Sequence, residues 1–144
     1  AIFVGSAIFA VYLNYTVVKY EKDLLWHIMT LEEEGGELTA EYDGQTVRVL
    51  GNNIIRISKI VSVYERKHIF KEPVYDEDKA VFLHFSDGAE FVIFEDTQED
   101  DAVYIIYTYK KKELFFHVQG YNSWSWLQKA ISPEGISSPN EVIN

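Results

Sequence analysis

The first 18 residues, AIFVGSAIFAVYLNYTVV, carry no charged side chain, and all 13 Lys and Arg and all 23 Asp and Glu follow them. Such a run reads as a membrane helix, because a helix needs about 20 mostly apolar residues to cross a bilayer core. Tyr12, Tyr15 and Tyr20 gather with Lys19 and Lys22 at its end, as where an anchor leaves the lipid. Two alternatives stand beside that reading. One is a leftover signal core, although no clean small-x-small cleavage site appears. The other is a buried strand or core helix, since Ile, Val, Phe and Tyr favour strands.

Residues 20–34 place Leu24, Leu25, Ile28 and Leu31 at helical spacing, which predicts an amphipathic helix ended by Gly35-Gly36. The period then falls to two. Residues 37–42 and 45–50 flank Asp43-Gly44, a strong hairpin signal. Residues 80–85 and 89–95 flank Ser86-Asp87-Gly88, and 102–109 and 114–118 flank the turn at 110–113. Residues 54–70, IIRISKIVSVYERKHIF, read two ways. As a strand, Ile55, Ile57, Val61 and Val63 share a face; as a helix, Ile54, Ile57, Val61 and Tyr64 do, with Asn53 as its cap. The β-branched content favours the strand. A final helix over 124–131, capped by Ser123, carries Trp124, Leu127 and Ile131 on one stripe.

The expected fold is therefore α+β: an N-terminal membrane-type helix, then an antiparallel six- to seven-stranded sheet or partly open barrel, closed by a C-terminal helix. The divisions fall at 1–18 (anchor), 19–36 (amphipathic helix or linker), 37–131 (β-rich domain) and 132–144 (a Pro-, Gly- and Ser-bearing tail).

Two stretches carry a family likeness. IRISKIVSVYERK (55–67), with Ile57, Ile60 and Val63, is similar to a strand of bacterial pleckstrin-homology-like (PH-like) domains. NSWSWLQKAI (122–131) resembles the closing helix of that fold, in which Trp124 or Trp126 with Leu127 would cover the open end of the barrel. The resemblance implies a PH-like domain over about residues 37–131 behind a single anchor. Phosphoinositide-binding members carry basic residues around the first hairpin. Here residues 31–45, LEEEGGELTAEYDGQ, hold six acids and no Lys or Arg, so phosphoinositide binding is not expected.

Charge and composition narrow the function. The formal charge is −10, all of it after residue 18, which argues against nucleic acid or bare anionic lipid as the main partner and allows a basic protein. Cysteine is absent, which excludes disulfides, thiol catalysis and Cys-based zinc sites. His27, His68, His84 and His117 match no metal spacing, although His84 and His117 sit in predicted strands and could meet across the sheet. Residues 76–78 and 95–101 are acidic but lack the alternating ligands and central Gly of a calcium loop. No Gly-rich phosphate loop and no nucleophile–base spacing stands out. The expectation is no catalytic residue, no metal and no cofactor, unless a deep pocket gathers two of His84, His117, Asp87 and Glu95.

What remains is a late cluster of aromatics. Trp124 and Trp126 are two apart on a helix and point roughly 200° apart, so one is available to a partner. Tyr121, Trp124 and Trp126 are the candidate partner-binding residues. The expected function is a membrane-tethered, non-enzymatic protein-binding domain of unknown partner, with an inhibitor or immunity-type protein as one form of it. The alternative is self-association as a filament or envelope-complex subunit through one helix over residues 1–34.

Overall fold

Asp43 and Gly44 both take positive φ (52° and 75°), and this two-residue turn joins β1 (Leu38–Tyr42) to β2 (Gln45–Val49). The expected second and third hairpins also form: β4 (Val81–Phe85) with β5 (Glu90–Glu95), and β6 (Ala102–Tyr109) with β7 (Lys112–Gln119). These elements belong to a computed structural model that describes residues 19, 22–23, 26–31, 33–62, 65–120, 122–136 and 138–143. Residues 1–18, where the sequence places the anchor, and Tyr121 lie outside the described residues. Among the described residues no helix is long and apolar enough to cross a membrane.

Residues 26–31 are helical (α1), and Gly35, at φ 64°, ends the segment as expected, with Gly36 N donating to Leu31 O at 3.1 Å. The strand favoured over 54–70 does not form as one element. The chain instead builds α2 (Asn52–Ser62) and then β3 (Glu65–Ile69). The reason is tertiary. Ile57 and Ile60 are buried, three residues apart on one side of α2, and tertiary packing overrides β-propensity. α3 (Ser123–Ile131) starts one residue earlier than expected, after Asn122 in the left-handed conformation; Ser123 is buried and its Oγ donates to Asp101 O at 3.1 Å.

Among the described residues eight strands, rather than six or seven, form one antiparallel sheet in the order β3-β7-β6-β5-β4-β1-β2-β8. The eighth, β8 (Glu141–Ile143), comes from the expected tail and pairs with β2. A crossover makes this order. α2 carries the chain from β2 to β3 at the far edge of the sheet, and the 70–80 segment brings it back to β4 beside β1.

Alternation gives the sheet two unlike faces. One buries Leu38, Val49, Leu83, Phe91, Ile93, Ile105, Phe116 and Val118, with Leu31, Ile57, Ile60, Leu127 and Ala130 of the helices in the same core. The three helices thus lie on one face, and α3 packs on α2 rather than closing a barrel end. Each fully buried aliphatic or Phe side chain here contributes about 1.5–3 kcal/mol. The other face carries a smaller apolar cluster, Ala80, Phe94 and Ile106, against which Tyr75 and Phe82 pack.

Candidate functional site

The smaller cluster ends in a groove of about 600 Å³, lined by Tyr42, Tyr75, Phe94, Tyr104 and Trp124 together with Asp76, Lys79, Glu95 and Asp96. Four separate parts of the chain supply it. Tyr42 closes β1, Tyr75 comes from the crossover segment, Phe94 and Tyr104 face each other across β5 and β6, and Trp124 opens α3. The strand residues reach this face because Phe94 and Tyr104 are register partners, on the opposite side to Ile93 and Ile105.

The rings form a row. Tyr75 stacks on Phe94 (centroids 4.8 Å, 23° between planes), Phe94 stacks on Tyr104 (5.4 Å, 25°), and Tyr104 tilts against His117 at 4.9 Å. Tyr42 meets Trp124 edge to face at 5.9 Å. Burial, then the charges of Asp96 and Glu99, push the Tyr104 phenol up from its ordinary pKa. Burial, then Glu77, Glu72 and Glu113, do the same for Tyr75. Both phenols are therefore neutral at physiological pH. The groove presents aromatic faces and carboxylates side by side, which is the chemistry that holds a cation.

Beyond Tyr104 the row meets charge. His117 Nε2 lies 3.0 Å from Asp96 Oδ2 and 3.5 Å from Glu99 Oε2. Asp96 is buried, and its Oδ1 accepts from Gln98 N at 2.9 Å. Asp96, Glu99 and His117 are the described residues whose donor atoms could surround a metal ion, all lying within 4.8 Å of one another. As they stand, the carboxylates pair with the imidazole. His84 lies in β4, three strands away from β7, so the two histidines do not meet. It stands between Glu41 (3.7 Å) and Glu90 (3.4 Å) on the exposed surface.

A second polar constellation is buried. His27 of α1 contacts Asp87 Oδ2 through Nδ1, and its Nε2 is 2.8 Å from the Tyr107 hydroxyl. The order Asp–His–hydroxyl is that of a nucleophilic relay. However, His27 is 1% and Tyr107 2% exposed, so both side chains sit in the interior. Burial above all, then the charge of Asp23, raises the Tyr107 phenol far above its ordinary pKa and keeps it protonated. The triad ties α1 to the β4–β5 turn and to β6.

Of the candidate partner residues, Trp124 is half-buried and lines the groove, whereas Trp126 is 38% exposed on the far side of α3, with Arg56 Cζ 5.5 Å from its ring centroid. The two-residue spacing foresaw that split. The groove lining includes Glu95 but not His84, His117 or Asp87. Neither the groove nor the His27 triad was read from the sequence, since their members lie up to 82 residues apart and no spacing announces them. No protein-family model, no curated protein and no solved structure matches the chain.

Proposed function

We propose that this chain is a membrane-tethered, non-enzymatic binding domain that takes a cationic side chain, Arg or Lys, of a protein partner into the aromatic groove. The row of Tyr75, Phe94 and Tyr104 beside Asp96 and Glu95 carries the reading. A guanidinium over such rings gains cation–π attraction, and the adjoining carboxylates add charge-assisted hydrogen bonds. The formal charge of −10 steers a basic partner toward the domain. The buried His27 triad supports a non-enzymatic role, because its resemblance to a relay ends at its burial. The tether rests on residues 1–18, through their length and freedom from charge.

The test is a fluorescence titration of the full chain in detergent with an Arg-rich peptide and with a Glu-rich peptide of equal length. Saturable binding of the first alone is expected, weakened about tenfold or more by Tyr75→Ala and by Asp96→Asn. Equal binding of both peptides, or none, overturns the reading.

A further inference from the structure

The net charge conceals a second, oppositely charged surface. α2 (NNIIRISKIVS) and α3 (SWSWLQKAI) contain no Asp or Glu, and their polar sides carry Arg56, Lys59 and Lys129. Two large apolar side chains stand exposed on the same pair of helices, Ile55 at 42% and Trp126 at 38%. Between α2 and α3 lies a cleft of about 150 Å³ lined by Arg56, Lys59, Ile60 and Trp126, with the Arg56 guanidinium over the indole.

We infer that this α2–α3 face lies on the surface of an anionic bilayer, with Trp126 and Ile55 at the headgroup level and a lipid phosphate between Arg56 and Lys59. Charge complementarity selects the occupant: the face is cationic in a chain of net charge −10, so an anionic surface attracts this side and repels the remainder. Tryptophan beside Lys and Arg is the composition of a membrane–water interface, where an indole buries its ring and keeps its N–H wet. Position agrees with chemistry. The inference rests on the proposed tether at residues 1–18, which is followed within a few residues by α1, and α1 shares its sheet face with α2 and α3. A domain held at that distance has the bilayer within reach of its helical side, and the Tyr75–Phe94–Tyr104 row of the groove, which stands on the other face of the sheet, stays open to a partner.

The experiment uses the full chain in lipid nanodiscs, with Trp26→Phe and Trp124→Phe leaving Trp126 as the reporter. Lipids brominated at the top of the acyl chain quench an indole that sits in the interface. Strong quenching is expected in discs containing phosphatidylglycerol, weak quenching in phosphatidylcholine discs, and loss of the difference in high salt. Each of the exposed substitutions Lys59→Glu and Lys129→Glu lowers the docked-to-undocked ratio at least about fivefold, from the electrostatic attraction of one lysine near such a surface. If the chain is in the disc fraction and Trp126 is unquenched, or equally quenched in both lipids, this inference falls and the tether stands. If the chain is not in the disc fraction, the tether falls and takes the inference with it. If inorganic phosphate alone shifts Trp126 emission in detergent, and chloride at equal ionic strength does not, the cleft is a soluble-anion site and the bilayer assignment is overturned.

Discussion

Removing the Asn140 side chain tests whether the C-terminal residues are part of the fold. Asn140 is 5% exposed and uses its whole amide. Its Oδ1 accepts from Leu50 N (3.0 Å) and from Asn53 Nδ2 (3.0 Å), and its Nδ2 donates to Ala130 O (2.7 Å) and Ser132 O (2.9 Å). An amide can make four such bonds, and all four are made. They join the start of α2, the end of α3 and the segment that leads into β8. Asn140→Ala removes all four and leaves buried backbone groups unpaired. At about 1 kcal/mol per bond the cost is about 3–4 kcal/mol, a large share of the about 5–15 kcal/mol that holds a typical domain together. Asn140→Asp keeps the shape but turns an oxygen toward the Ala130 and Ser132 carbonyls, and costs at least as much. Urea unfolding of the full chain in mild detergent, followed by circular dichroism, measures both. A loss below about 1 kcal/mol for Asn140→Ala would refute the claim that this network pins the segment.

Other perturbations separate backbone from side-chain effects. Gly135 has φ 62°, and a Cβ there would collide with Ser138 O, whereas Gly44 has φ 75° and open space around it; thermal unfolding should show Gly135→Ala costing clearly more than Gly44→Ala, which costs about 1 kcal/mol. Lys110 and Lys111 both hold positive φ (50° and 65°) in the β6–β7 turn, so Asn-Gly at these positions should stabilise the chain by about 1 kcal/mol in the same assay. Burial lowers the His68 pKa from 6.5, so the folded state favours the neutral ring. That contribution is complete above pH 6.5 and is lost as pH falls through the folded value, and His68→Gln should flatten this part of a urea-stability profile. The Tyr107 phenol is shifted the opposite way, so its contribution is present below its unfolded pKa of 10.0 and is lost as pH rises above it; Tyr107→Phe should reduce the alkaline loss of stability while lowering stability at neutral pH, because His27 Nε2 loses its partner.

Local chemistry reached far into this fold. Asp43-Gly44 specified its hairpin because both residues accept positive φ, Gly35-Gly36 ended α1, and alternation marked β4 through β7. The two-residue spacing of Trp124 and Trp126 already implied opposite exposures. Each of these outcomes depends on torsions and neighbours within a few residues. What the sequence could not decide alone depended on partners far along the chain. Residues 54–62 carry both a helical and a strand period, and only the core that buries Ile57 and Ile60 selects the helix. Residues 132–144 have the composition of a tail, yet Asn140 bonds to Asn53, 87 positions away, and residues 141–143 pair with β2. The aromatic groove and the His27–Asp87–Tyr107 triad likewise exist only because antiparallel pairing and the α2 crossover bring distant residues together. Short-range conformational preference is written in neighbouring residues, whereas burial and long-range hydrogen bonding belong to the assembled sheet and its helices.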